Sequence, residues 1–260
     1  MFNYLIRISR PRFWIYTVGP YLIGSLVGVS GNFISLVSNE LFWVWLLYFM
    51  FPANLLIYAI NDYSDQDTDL FNDKKNEYEL RYQSSKFSTI LVIILLLHLI
   101  MVLFLPTINS WLAFGVFVFL SVFYSVNPIR AKTKPFIDSI FNFLYVVPAV
   151  LGFYTMNSLD DLSLEIALAG LFWCMAMHTF SAVPDIEADK KAGLKTTAVY
   201  LGTNTSLFYC GFLYMLSGII AAVNIELYYL IFSLIYICIM LASFYKPKKI
   251  FDYYKMMPKV

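Results

Sequence analysis

Eight apolar stretches, each about the 20 residues that a helix needs to cross a bilayer, take up most of this 260-residue chain. They run approximately over 13–30, 41–61, 88–106, 110–127, 136–156, 163–184, 203–223 and 225–245. Only 13% of the residues are charged and 60% are hydrophobic, with a mean hydropathy of +0.69; a soluble domain carries roughly a quarter charged residues. The chain is therefore expected to be all-α, a polytopic transmembrane helical bundle of eight helices forming a single domain over 1–260.

The basic residues test that count, because Lys and Arg collect in cytoplasmic loops. Arg7, Arg10 and Arg12 precede the first stretch; Lys74, Lys75, Arg81 and Lys86 follow the second; Arg130, Lys132 and Lys134 follow the fourth. Lys190, Lys191 and Lys195 follow the sixth, and Lys246, Lys248, Lys249, Lys255 and Lys259 follow the eighth. All 18 fall on one side, and the opposite loops hold none. Both termini are accordingly expected on the cytoplasmic side of a bacterial or archaeal cell membrane. The Arg-rich start leads into a full-length span with no small-residue cleavage site, so no cleavable signal peptide is expected. Cys174, Cys210 and Cys238 lie in apolar stretches without metal-ligand spacing and read as small packing residues. The net charge of +1 says little about partners, and no nucleic acid is expected among them.

Against this apolar background the acids stand out. Asn61-Asp62-Tyr63-Ser64-Asp65-Gln66-Asp67-Thr68-Asp69 lies at the exit of the second stretch. On a helix Asp62, Asp65 and Asp69 share one face at i, i+3 and i+7, with Asn61 beside them and Asp67 off it. Like charges so close repel, so a cation is expected among them. A second pair, Asp185 and Asp189 at i, i+4, follows the sixth stretch on the same basic side. A carboxylate at the bilayer centre costs on the order of 3 kcal/mol; these acids are therefore expected to line a polar cavity at the membrane face. Spans one to four and five to eight then read as two four-helix halves around a central cavity, each delivering carboxylates from the end of its second helix.

Carboxylates alone do not separate metal binding from a proton relay. Oxygen-only ligands, however, suit Mg²⁺, which is usually held by one or two carboxylates together with substrate phosphates. Two acid clusters rimmed by Lys and Arg could hold two or three Mg²⁺ and a diphosphate between them. With that leaving group neutralised, an allylic carbon–oxygen bond can ionise. The resulting cation needs π faces, and the chain is 19% aromatic.

Asn61-Asp62-x-x-Asp65-x-x-x-Asp69 resembles the first aspartate motif of the UbiA superfamily of intramembrane prenyltransferases, and Asp185-x-x-x-Asp189-x-x-x-Gly193 resembles the second. The resemblance implies that Asn61, Asp62, Asp65, Asp69, Asp185 and Asp189 bind Mg²⁺-diphosphate, with Asp62, Asp65 and Asp185 carrying catalysis. Tyr124-Ser125 with Arg130 and Lys132 would match the family's basic loop over the donor's phosphates. Ser9-Arg10-Pro11-Arg12-Phe13-Trp14, Glu79-Leu80-Arg81-Tyr82 and Phe180-Ser181-Ala182-Val183-Pro184-Asp185-Ile186-Glu187-Ala188-Asp189 look like the branch that prenylates carotenoids, the lycopene elongases. That likeness implies an allylic diphosphate donor such as dimethylallyl diphosphate, a lipophilic acceptor such as lycopene, and Arg81 among the substrate contacts. The family usually has nine spans; here the tail from Ile250 to Val260 is too polar and short for a ninth.

Other polar residues have plainer readings beside functional ones. His178, seven before Asp185, reads either as a base or acceptor contact in the cavity or as a hydrogen-bonded core residue. Asn54, seven before Asn61, reads as an intramembrane amide facing the bundle or the substrate. His98 reads as structural, and Asp138 as an interfacial cap or a contact to the basic loop. Pro52 and Pro148, and Gly24 and Gly28, read as helix breaks and close-packing positions. Competing functions are an aromatic or quinone-precursor prenyltransferase, a secondary transporter or ion pathway, a structural membrane subunit and an intramembrane aspartyl protease. One-sided acids beside basic loops favour a phosphate-bearing substrate over all but the first.

Overall fold

A computed structural model describes residues 2–64, 86–157 and 162–256. Among them the regular structure is helical, without a strand. Asp65, Asp67, Asp69 and Arg81 lie outside the described residues. The helices are α1 Phe2–Ile8, α2 Ile15–Gly28, α3 Phe33–Val37, α4 Glu40–Met50, α5 Pro52–Ser64, α6 Phe87–Val102, α7 Ile108–Phe123 and α8 Ile137–Ile140. They continue with α9 Val147–Met156, α10 Leu164–Ala182, α11 Ile186–Lys191, α12 Thr197–Asn224, α13 Tyr229–Tyr245 and α14 Ile250–Met256. Four runs are long and apolar enough to cross a membrane, Glu40–Ser64, Ile137–Met156, Leu164–Lys191 and Thr197–Asn224, and α6, α7 and α13 are shorter apolar helices.

Polar residues set the helix starts. Thr107 and Ser110 form a capping box at the head of α7, each hydroxyl accepting the other residue's N–H at 3.1 Å. Asn39, Ser163 and Thr196 cap α4, α10 and α12 more simply, each side-chain oxygen accepting one backbone N–H of the first turn. Pro52 opens α5, the helical position that best tolerates its missing N–H.

The chain forms two compact units, Met1–Arg130 with Leu144–Leu162, and Ala131–Phe143 with Ser163–Val260. The division therefore does not coincide with spans one to four against five to eight: the fifth stretch is shared, and its second part, α9, belongs with the first unit. Small residues explain why. Gly24 of α2 lies directly against the backbone of Ala149, Gly28 lies against Phe153, and Gly152 of α9 faces Ser25 and Tyr21. With no side chain between them, these two backbones approach closely. Trp45, Tyr48, Phe49, Phe114 and Phe117 pack edge-on in the same unit. His98 fits there with both ring nitrogens engaged, one 3.0 Å from the Tyr48 hydroxyl and the other 2.8 Å from the Ile94 carbonyl. That is the structural role its sequence context suggests.

The second unit is built on α10, α12 and α13. Ser217 donates to the Ala169 carbonyl at 2.8 Å and Ser233 to that of Tyr214 at 2.9 Å, short polar links between helices that lack a hydrophobic drive to associate. Its core holds Val183 and Ile186, which flank Asp185, and Ile250 from α14, with Tyr253 and Tyr254 against it. α14 is seven residues long, far short of a span. The tail is thus a short helix fastened to its unit's core.

Candidate active site

In the first unit, polar groups gather at the end of α5. Asp62 is 3% exposed, and its Oδ1 accepts a hydrogen bond from Arg10 Nη2 at 2.6 Å. Arg10 sits in the left-handed region, φ 51°, at the turn between α1 and the 3₁₀ segment Pro11–Phe13. Its guanidinium lies 4.8 Å from the centre of the Tyr58 ring, one helical turn before Asp62. Asn61 Oδ1 accepts from the Ser125 hydroxyl at 2.9 Å, and Arg130 Nη2 donates to the Ser64 carbonyl at 3.4 Å. Asn61, Asp62 and Arg130 are therefore brought together, with Tyr124 one residue from Ser125 at the C-cap of α7.

Arg10 stood in a quoted motif without being named a site residue, whereas Ser125 was expected beside Tyr124 in the loop over the donor's phosphates. The signal was present in Ser9-Arg10-Pro11 and Tyr124-Ser125, but the pairings span 52 and 64 residues. Asn54 is fully buried and sits at the helix break. Its Nδ2 donates to the Phe49 carbonyl at 2.7 Å and to Thr17 Oγ1 at 2.9 Å, holding the chain where Pro52 interrupts the helical ladder.

An aromatic patch adjoins Arg10. Phe13 lies 5.8 Å from Tyr58 and 5.9 Å from Tyr16, and Tyr16 lies 6.2 Å from Tyr145, measured between ring centres. Ring faces of this kind attract a cation by their quadrupole.

In the second unit, Asp185 ends the 3₁₀ turn Val183–Asp185 and stands at the N-cap of α11. Asp189 follows one turn later and accepts from the Thr196 hydroxyl at 3.4 Å. Behind them the Leu194 N–H returns to the Asp189 carbonyl at 2.9 Å and the Gly193 N–H to that of Lys190 at 3.1 Å. These are the two bonds of a Schellman motif, which needs a residue at positive φ; Gly193 supplies it at 71°. That is the physical reason for the glycine four residues after the second aspartate. Lys132 is buried in the 3₁₀ turn Ala131–Thr133, so the basic loop is divided: Arg130 belongs to the first unit and Lys132 to the second.

His178 and Asp138 also meet in the second unit. His178 Nε2 is 3.8 Å from Asp138 Oδ2. The carboxylate is 1% exposed and accepts from the backbone N–H groups of Ser139 and Thr197, both at 2.7 Å, and from the Thr197 hydroxyl. Asp138 is thus a hydrogen-bonded joint between α8 and the head of α12.

The donors within each unit suit a hard divalent cation: Asn61 and Asp62 in the first, and Asp185 and Asp189 in the second, offer oxygen, and Asp62 already draws the part-buried Arg10 guanidinium to 2.6 Å. Among the described residues no three or more His, Cys, Asp and Glu cluster as a self-contained metal site.

Comparison with known proteins agrees with this chemistry. The model of the UbiA prenyltransferase family matches residues 17–254. Lycopene elongase/hydratase of Haloarcula japonica is 38% identical over 229 residues, covering 85% of this chain and 74% of the relative. The protein of the same name from Halobacterium salinarum is 39% identical over 224 residues, covering 85% and 80%. Among solved structures, a UbiA homolog from Archaeoglobus fulgidus bound to DMAPP and Mg²⁺ superposes with a TM-score of 0.72 at 24% identity, covering 92% of this chain and 85% of that one. The same homolog bound to GPP and Mg²⁺ gives 0.69 at 26% identity. With both aspartate motifs inside the matched region, this integral membrane protein belongs to the UbiA prenyltransferase family.

Proposed function

We propose that this chain transfers a prenyl group from dimethylallyl diphosphate to lycopene or a related carotenoid, with Mg²⁺ bound between protein carboxylates and the diphosphate. The carrying observation is the identity of 38% and 39% with two lycopene elongase/hydratases over 85% of the chain, joined to an oxygen-only donor set. Asn61, Asp62, Asp65 and Asp69 from one motif, and Asp185 and Asp189 from the other, would hold the metal. Bound there, Mg²⁺ supplies charge neutralisation of the departing diphosphate. Arg10, Arg81, Arg130 and Lys132 add positive charge for its oxygens, and Ser125 fixes the amide of Asn61 so that its orientation is set before substrate arrives. The rings of Phe13, Tyr16, Tyr58 and Tyr145 offer π faces to the allylic cation. The acceptor's terminal alkene then attacks that cation.

Membranes containing this chain, given dimethylallyl diphosphate, Mg²⁺ and lycopene, should yield carotenoids one and two prenyl units heavier by mass spectrometry. Prenylated quinone precursors in place of carotenoids would keep the family and overturn the acceptor.

The one-sided basic residues support a cell-membrane orientation with both termini and the catalytic loops cytoplasmic. Single cysteines placed at Asn3 and Lys248 should react with a membrane-impermeant maleimide only after the cells are opened, and one at Asn109 in intact cells. Labelling of the first two in intact cells would reverse the orientation.

A further inference from the structure

We propose that His178 is the proton acceptor that completes prenyl transfer, with the Asp138 carboxylate as its counter-charge. This rests on the carotenoid prenyl transfer set out above. Asp138 is held rigidly by Ser139 and Thr197, each bringing a neutral donor. Those donors leave the carboxylate's charge uncancelled, and the one basic side chain placed beside it among the described residues is His178, at 3.8 Å. A buried carboxylate next to an imidazole stabilises the imidazolium that proton transfer creates. The His178 side chain is 17% exposed, so its ring is not sealed within the helix packing as that of His98 is. It precedes Asp185 by two helical turns, about 10 Å at 1.5 Å per residue. The base therefore stands two turns deeper along the same helical run than the acid proposed to hold the diphosphate's metal.

The chemistry balances. Attack of the terminal alkene on the dimethylallyl cation makes one carbon–carbon bond and leaves a tertiary carbocation on the carotenoid. The His178 imidazole takes a proton from the adjacent carbon, and the C–H electron pair closes a new double bond. If water adds to the cationic carbon first, the same nitrogen takes the oxonium proton and the product is the tertiary alcohol. Either way the proton rests on His178 beside Asp138 until water or the released diphosphate removes it. One base thus serves both elimination and hydration.

His178→Gln keeps a hydrogen-bonding side chain and removes the base. Elongated carotenoid should fall about a hundredfold, the lower end of general-base contributions. Mg²⁺-dependent diphosphate release should change far less, with dimethylallyl alcohol making up the difference. Asp138→Asn should shift the same ratio in the same direction. Added imidazole should restore carotenoid formation to His178→Ala, which rescue of a packing defect would not do. Carotenoid formation at parental levels in both His178 variants overturns the proposal. So does an equal loss of diphosphate release and carotenoid formation with no rescue by imidazole. A parent protein that prenylates no carotenoid overturns the acceptor reading instead, and this inference falls with it.

Discussion

Asp62→Asn is expected to lower Mg²⁺-dependent diphosphate release at least about a hundredfold, the usual loss when one preorganised electrostatic contact is removed from a reacting centre. Asparagine keeps a side-chain oxygen for Arg10 Nη2, so the turn between α1 and α2 stays anchored, while the charge proposed to attract the metal is gone. Alanine would be a poorer probe. The Arg10 side chain is 15% exposed, and taking one partner from a buried pair costs about 3–5 kcal/mol, which mixes stability with catalysis. Asp185→Asn should match Asp62→Asn, because the backbone at 185 is set by the 3₁₀ turn and the packing of Val183 and Ile186 rather than by the carboxylate. Pyrophosphate release from purified, folded protein at several Mg²⁺ concentrations is the measurement. Unchanged turnover in both variants would remove the roles assigned to them.

Gly24→Val should cost about 3 kcal/mol or more, at or above the top of the usual range for overpacking. A Cβ built on Gly24 overlaps the carbonyl of Ala149 and comes 2.6 Å from its Cα. Backbone cannot rotate out of the way, so α2 and α9 would have to separate along a face that also includes Gly28 and Gly152. Gly115 provides the control: it is also helical, yet a Cβ there meets nothing within 4 Å. Gly115→Ala should leave stability unchanged or raise it by up to about 1 kcal/mol. Thermal unfolding in detergent separates the two, and equal midpoints would show that the α2–α9 contact is looser than described.

What the sequence made legible was whatever follows from local rules. Apolar length placed the helices, and the i, i+4 spacing set Asp185 and Asp189 on one turn closed by Gly193. What it hid depends on distant partners. Nothing near Arg10 reveals that it meets Asp62, nor near Thr197 that it meets Asp138, 59 residues away. Asn54 illustrates the same limit. As an amide within an apolar stretch it reads as facing the bundle or the substrate, and only the positions of Phe49 and Thr17 reveal that its nitrogen serves the helix break before Pro52. The fifth stretch reads as one span of one half, and small residues on both α2 and α9 give its second part to the other unit.

The pairing of Arg10 with Asp62 has an electrical side. A lone carboxylate beside a lipid layer would be a liability, drawing in stray cations or distorting its helix. Here the guanidinium of Arg10 answers that charge from 2.6 Å away, so the spot is electrically quiet and the chain's first turn is moored to the far end of α5. Loosening that mooring would free an acid and a base at once, side by side.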